Sequence, residues 1–344
     1  MTSDRLLGDL LAGRTAAVAR AISEVENARP GFEQLLAGVH PHLGRARRIG
    51  ITGPPGAGKS TLTERLVAAY REGGLAVAVV AVDPTSPFSG GALLGDRIRM
   101  ESVALDPGVF IRSMASRGSL GGLATTTREV CDLLDAAGFA RILVETVGVG
   151  QSELDVARMA DSTVLLLVPE SGDAIQTLKS GVMEAADIFV VNKADRPGAE
   201  KLRQEIEVTL GIRRGNAYRH VPAHHGRAGG RQPSEPARTG PSLWDHPVLL
   251  AAASKGEGIA ELVAALDRHY EWLVATAELA QRRRQRMFER TREVVDRATR
   301  RWLWHETPAE QLVRGRLDEV ADGRLSPYEL AAEILDELRQ GEQV

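Results

Sequence analysis

Cysteine is almost missing from this 344-residue chain: Cys131 is the single one. One thiol excludes an internal disulfide framework and any multi-cysteine zinc site. Its expected place is that of a small core residue on a helix. No apolar run approaches the roughly 18 residues that a membrane span requires. The N-terminus lacks the basic, apolar and small-residue regions of a signal peptide, so a cytoplasmic location is expected. Charge of one sign is also lacking, since 43 Lys and Arg face 46 Asp and Glu for a net −3. Such a balance gives no global pull toward nucleic acid or a membrane surface. What is present is apolar content of 43%, enough for a substantial core. The length fits about two domains, or one domain with extensions.

The stretch that organises the rest is Gly53-Pro54-Pro55-Gly56-Ala57-Gly58-Lys59-Ser60, followed by Thr61. It satisfies G-x-x-x-x-G-K-[ST] at every fixed position. An apolar strand is expected before it at 48–52, and a helix after it at 60–72 carrying Leu62, Leu66 and Ala69 on one face. That setting is what a phosphate-binding P-loop requires. Its glycines let backbone N–H groups curl around phosphate oxygens, and the helix N-terminus adds positive potential. Lys59 is placed to reach the β- and γ-phosphates, and the Ser60 hydroxyl to sit on Mg²⁺.

Upstream, Thr15 is expected to cap a helix carrying Val18, Ile22 and Val25, which Pro30 ends. A second helix carries Phe32, Leu35, Leu36 and Val39. From 48 to about 267 apolar strands alternate with helices, the strands being expected at 76–82, 109–112, 141–145, 162–168, 188–192 and 248–252. Continuous apolar strands predict an α/β fold with a mostly parallel sheet covered by helices on both faces. Ligands bind such sheets beyond the carboxyl ends of the strands. Residues 213–247 break the rhythm with Gly, Pro, Arg and His. His220, His224 and His225 there could hold a metal, but a zinc site wants three or four closely set ligands, and a solvated loop is preferred. Past Gly258 the chain reads as helical, with a long Arg-rich helix at 277–306 and shorter helices opened by Pro308 and Pro327. Its basic run (Arg282, Arg283, Arg284, Arg286, Arg290) is broken by Glu289, Glu293 and Asp296, and Phe288 is the one aromatic interleaved with it. A solvated face over an apolar seam of Met287, Val294, Val295, Ala298 and Trp302 is therefore preferred to nucleic-acid binding. That arm, with Trp302 and Trp304 on it, points to self-association.

Base choice is written in Asn192-Lys193-Ala194-Asp195, an N-K-x-D tetrad following an apolar strand. The Asp195 carboxylate accepts two hydrogen bonds from guanine N1–H and its 2-amino group, a pair that adenine does not offer. Lys193 would lie along the base, and Asn192 would tie loops together. Ala253-Ser254-Lys255-Gly256 is a candidate second base loop, offering a backbone N–H to guanine O6. Asp83 and Glu145 end strands, where hard oxygen ligands for Mg²⁺ are wanted. Glu145-Thr146-Val147-Gly148 reads as an E-x-x-G form of the GTPase D-x-x-G element, with the Gly148 N–H placed to sense the γ-phosphate. Val149 stands where a water-positioning Gln is usual, so slow intrinsic hydrolysis is expected. Asp96, in the Gly-rich stretch 90–97, is a third candidate for the metal shell, balanced by spacing alone against a helix cap or surface charge.

Together these motifs resemble the MeaB/ArgK family, SIMIBI-class P-loop GTPases that serve as chaperones of adenosylcobalamin-dependent acyl-CoA mutases. The resemblance rests on GITGPPGAGKST at 50–61, VDPTSP at 82–87, GGALLGDRIRM at 90–100 and FIRSMASRGSLGG at 110–122. It continues through ILVETVGVGQSE at 142–153, GDAIQTLKSGVMEAADIFVVNKAD at 172–195 and GEGI at 256–259. It implies a homodimer that gates cobalamin loading and protects or rescues the mutase at the cost of GTP. It implies Lys59, Ser60, Asp83, Asp96 and Glu145 at the phosphates and magnesium, and Asn192, Lys193 and Asp195 at guanine. It further implies that 151–155 and 172–181 are switch segments. Lys179, the sole cation of Gly172-Asp173-Ala174-Ile175-Gln176-Thr177-Leu178-Lys179, is then a candidate catalytic group brought to the γ-phosphate by the mutase. Where family members often carry Ser-Ala in the second base loop, this chain has Ala252-Ala253. The expected organisation is an N-terminal helical extension at 1–45, a GTPase domain at 46–275 and a helical dimerisation arm at 276–344. Competing readings are a nickel-insertion GTPase, which one Cys and a scattered His loop argue against, and a transport-system kinase, for which no H-R-D-like loop is present.

Overall fold

The computed structural model describes residues 3–83, 100–115, 122–146, 152–169, 182–213 and 243–341. Two compact units are distinguished, 1–283 and 284–344. The first opens with three helices, α1 (Ser3–Leu11), α2 (Thr15–Glu26) and α3 (Phe32–Val39). β1 (Arg47–Thr52), α4 (Lys59–Glu72), β2 (Val77–Asp83), the short α5 (Glu101–Ala104), β3 (Val109–Ala115) and α6 (Gly122–Ala136) follow. Next come β4 (Arg141–Thr146), α7 (Ser152–Met159), β5 (Ser162–Leu167), α8 (Val182–Ala185), β6 (Ile188–Val191) and α9 (Ala199–Arg213). β7 (Val248–Leu250), a 3₁₀ turn at Ala253–Lys255 and α10 (Ile259–Ala275) complete the sheet-forming region.

The seven strands lie in the order β3-β2-β4-β1-β5-β6-β7, and every neighbouring pair is parallel. All carboxyl ends therefore share one edge. β1 is central, pairing Ile51 with Glu145 of β4 on one side and with Val164 of β5 on the other. Side chains alternate across the sheet, as the two-residue period of a strand dictates. Ala78, Val80 and Val82 pack with α2, α3 and α6 on one face. Val77 and Val79, with Ile49, Ile51 and Leu143, pack with Leu62 and Leu66 of α4 and Leu262 and Leu266 of α10 on the other. Leu165, Leu167, Phe189 and Val191 join α9 through Leu202 and Ile206. Each fully buried Leu, Ile or Phe contributes about 1.5–3 kcal/mol, so burial on both faces explains the apolar middles of these strands, while their polar residues, such as Arg47, Arg141 and Glu145, gather toward the strand ends.

The α/β expectation holds, and local details differ. Helix α1 was not anticipated, although Leu6, Leu7, Leu10 and Leu11 recur on one side of it at helical spacing and pack on the core. Thr15 is the first residue of α2 and not its cap. Arg14, with extended backbone, holds that place, and its carbonyl accepts the N–H groups of Ala17 and Val18. β7 stops at Leu250, because Ala252 turns to bridge Glu257. Cys131 is buried in α6, where its environment pushes the thiol up to about 11, chiefly by desolvation.

α11 (Glu278–Arg301) begins in the first unit. The second unit continues with a π-helical turn at Trp302–Glu306, then α12 (Ala309–Gly315), α13 (Leu317–Ala321) and α14 (Pro327–Gly341). Its core gathers Ala309, Leu330 and Ile334. The start of α14 is specified locally. Pro327 is the first helical residue, and Ser326 and Glu329 exchange N–H bonds at 2.9 and 3.1 Å, a capping box. At 15 residues this helix is longer than its sequence suggested. Among the described residues, no helix is long and apolar enough to cross a membrane.

Candidate functional site: the carboxyl edge of the sheet

Between β1 and α4 the chain makes the P-loop, and two of its glycines are required by close approach. Gly53 has φ 143°, and a Cβ there would lie 2.1 Å from the Leu166 carbonyl oxygen. Gly58 has φ 92°, and a Cβ would lie 2.5 Å from Asn192 Nδ2. The loop thus sits directly against β5 and the residue following β6. Lys59 opens α4, is 6% exposed, and donates to the Gly53 and Pro54 carbonyls at 2.8 and 3.0 Å. Its ammonium is curled over the loop where phosphate oxygens would lie.

At the same edge, the register of β4 beside β1 brings Glu145 to α4. Ser60 Oγ donates to Glu145 Oε1 at 2.6 Å, and Thr63 Oγ1 donates to Oε2 at 2.9 Å. Glu145 is 4% exposed. A hydroxyl and a carboxylate converging at a P-loop are hard oxygen donors, the chemistry that suits Mg²⁺. Asp83 ends β2 at this edge. Asp96, Gly148, Val149 and Lys179 lie outside the described residues, as do Gln151, 172–181 and 214–242. Among the described residues, no group of three or more His, Cys, Asp or Glu could hold a metal ion.

The end where the sequence expects the base is assembled around Asn192, which is 3% exposed. Its Nδ2 donates to the Ala57 carbonyl at 2.8 Å, and its Oδ1 accepts from Ala253 N–H at 3.1 Å. One side chain therefore joins the P-loop to the second base loop. Lys193 adopts left-handed backbone, φ 56°, which redirects the chain between Asn192 and Asp195. Asp195 pairs with Lys255 at 3.0 Å. The hydrogen bond from Lys255 holds its carboxyl below the usual carboxylate range, and the same bond raises the lysine. From α4, Arg65 donates to the Ala253 and Ser254 carbonyls, both at 3.1 Å. Ala253 N–H is occupied by Asn192, and Lys255 N–H by the Ala252 carbonyl at 2.8 Å.

Thr63 and Arg65 were not picked out from the sequence. A threonine four residues past the P-loop lysine, just beyond Leu62 on the inward side, was the available signal for the first. No pattern marks the second. Arg282 and Arg283 also depart from expectation. Rather than joining a solvated face, they pair with the buried Asp187 and Asp161 at 3.1 and 2.8 Å.

Sheet order, P-loop and edge geometry together define a P-loop nucleotide-binding protein of the GTPase class. The family model of "Methylmalonyl Co-A mutase-associated GTPase MeaB" matches residues 18–307, and the chain belongs to that family. A relative in Pyrococcus abyssi is 41% identical over 342 residues, covering 98% of this chain and 97% of that one. "GTPase ArgK" of Escherichia coli is 36% identical over 322 residues, 92% of this chain and 90% of the other. A solved structure described as a LAO/AO transport system kinase superposes with TM-score 0.66 at 29% identity, covering 98% of each chain.

Proposed function

We propose that the chain is a GTP-hydrolysing metallochaperone that gates cobalamin loading of an adenosylcobalamin-dependent acyl-CoA mutase, such as methylmalonyl-CoA mutase, and protects or reactivates it. The observation that carries this reading is membership, over 18–307, of a family described by its association with that mutase. A mouse relative, 36% identical over 294 residues (81% of this chain, 66% of that one), is named methylmalonic aciduria type A homolog.

In this reading GTP and GDP bind at the carboxyl edge with the phosphates over Gly53–Thr61 and guanine between Lys193, Asp195 and the turn at Ala253–Lys255. Lys59 leaves its carbonyl partners for the phosphate oxygens, neutralising charge as it develops. Ser60 and Glu145, with Asp83 and Asp96, would hold Mg²⁺, which when bound would supply charge neutralisation to the phosphates. Gly148 senses the γ-phosphate, and Lys179 is carried to it when the mutase docks, as an arginine finger would be. Such groups are worth about 10³–10⁵ in rate. Residues 276–344 serve as the dimerisation arm. Within the second unit, Met287, Val294 and Val295 expose 40%, 39% and 55% of their surface, an apolar seam suited to a second copy.

Turnover of GTP with and without purified mutase is the deciding measurement, alongside light scattering of the mixture. The reading expects a complex, stimulated hydrolysis, and loss of that stimulation in Lys179→Ala with basal turnover retained. Failure of every acyl-CoA mutase tested to bind in either nucleotide state would remove it. The description of the superposing structure keeps a kinase reading in view. Transfer of label from γ-labelled GTP to a periplasmic amino-acid-binding protein would favour that alternative.

A further inference from the structure

The two oxygens of Glu145 are held by different residues. Oε1 accepts from Ser60 and Oε2 from Thr63, at 2.6 and 2.9 Å. Thr63 is fully buried, one helical turn past Lys59, and its hydroxyl also lies 2.9 Å from the Lys59 carbonyl. One hydroxyl proton cannot serve both acceptors fully, and the carboxylate, being charged, is the stronger. Ser60 has a second duty in the reading above, since its oxygen must also face the ion. Thr63 has no such duty.

Resting on the proposed GTP and Mg²⁺ reading, we infer that Thr63 is a positioning residue. Its hydroxyl sets the rotation of the Glu145 carboxylate so that Oε1 stays turned toward Ser60 and the phosphate loop. The last torsion of a glutamate is broad and poorly self-specified. A carboxylate pinned through one oxygen swings about that contact; pinned through both, it is fixed. Burial reinforces the effect, because at 4% exposure Glu145 has little access to bulk water in exchange for a lost hydroxyl. Thr63 meets the Lys59 carbonyl and Glu145, and its proposed effect on the ion runs through Glu145.

The test compares Thr63→Val, close in shape but without the hydroxyl, with Thr63→Ser, which keeps it. Glu145→Gln and Ser60→Ala serve as references for the metal end. Two readouts are taken on the full chain: the Mg²⁺ concentration that half-maximally slows release of a fluorescent GDP, and Mn²⁺ binding followed by electron paramagnetic resonance with GDP present. Thr63→Val is expected to raise the Mg²⁺ requirement about 5–30-fold, part of the worth of one hydrogen bond to a carboxylate. Thr63→Ser is expected to stay within about twofold of the parent. If Thr63→Val does not fold, Thr63→Cys reads the same shift with a weaker donor in place. An unchanged Mg²⁺ requirement in Thr63→Val, while Glu145→Gln and Ser60→Ala shift it, overturns the role of Thr63 alone. A shift in Thr63→Ser as large as in Thr63→Val overturns it too, since the hydroxyl would not be the cause. If none of the four variants shifts it, the Mg²⁺ reading fails and the inference falls with it.

Discussion

The two edges of the sheet use their carboxylates in opposite ways. At the amino edge Asp135, Asp161 and Asp187 are 2%, 1% and 6% exposed and are met by backbone N–H groups and arginines. Asp135 accepts from the N–H groups of Gly44, Arg45 and Ala46 at 2.8, 3.1 and 2.9 Å. Asp161 takes Arg48 N–H at 3.1 Å and a two-pronged contact from Arg283 at 3.2 and 2.8 Å. Asp187 takes Thr163 N–H at 2.8 Å and Arg282 at 3.1 Å, beside the buried His269 at 3.3 Å. His269 is in turn held by Ser162 at 2.8 Å and flanked by Trp244 and Trp272. At the carboxyl edge Glu145 is held by two hydroxyls, and Asp195 by a half-exposed lysine. Rigid pairing suits an edge whose task is to stay closed. Contacts that a phosphate, a cation or a base can replace suit an edge whose task is to bind.

The largest expected effect breaks the closed edge. Asp161→Ala removes the carboxylate that neutralises Arg283, leaving it the Gly44 and Ala46 carbonyls, and orphans the Arg48 N–H. The loss of folding stability should be about 3–5 kcal/mol, as for a broken buried ion pair. Chemical denaturation measures it, with GDP affinity measured in parallel at a temperature where the variant is folded. A comparable loss of affinity there would mean that the two edges are not separable.

Next comes Asp195→Asn at the open edge, expected to weaken GTP about 10–100-fold, as hydrogen bonds to a charged acceptor imply, while favouring xanthosine nucleotides. Calorimetric titration with GTP, ATP and XTP reads this directly. Tighter binding of ATP than GTP by the parent protein would contradict the assignment.

A smaller effect follows from Asp187. Burial works against its ionisation, but the neighbouring His269 and Arg282, with the Thr163 N–H, outweigh burial and hold the carboxyl below its usual range. A lowered carboxyl stabilises the fold above its unfolded value, about 4, and that stability is lost as pH falls through the folded value. The urea midpoint should therefore decline as pH drops below about 4. In Asp187→Asn the acid limb should be flatter, and an unchanged limb would assign it to other carboxylates.

The smallest effect is expected from Lys255→Met. Without the lysine, Asp195 returns toward its ordinary value, and the acid fall-off of GDP affinity moves to higher pH. The change at neutral pH should be only a few-fold, because the pair is exposed and screened. A tightening of GDP binding would show that Lys255 competes with the base and does not hold the carboxylate ready for it.

The open edge was the more legible of the two. Gly53 to Ser60 and Asn192 to Asp195 are contiguous motifs, and apolar runs such as that of β2 announce buried parallel strands. The closed edge is built from single residues far apart in the chain, such as Arg48 with Asp132 at 2.7 Å and Arg283 with Asp161. No local period marks such pairs. For the same reason Arg282 and Arg283 read as members of a solvated basic run, since a charge pattern carries no information about depth. Thr63 escaped notice because a threonine within an amphipathic helix is ordinary until a strand places a carboxylate beside it.

Asn192 carries a further consequence. Its amide presents a donor to one loop and an acceptor to another, so it works as a keyed pin with one correct way round. Turning it by half a revolution sets oxygen against the Ala57 carbonyl and nitrogen against Ala253 N–H. Aspartate has the same outline but two acceptors, and would repel that carbonyl; leucine would fill the space and satisfy neither loop. The distance between the phosphate cradle and the base turn is therefore gauged by the polarity of one side chain as well as by its size. In the proposed reading, a nucleotide that fits one end is measured against the other through that single amide.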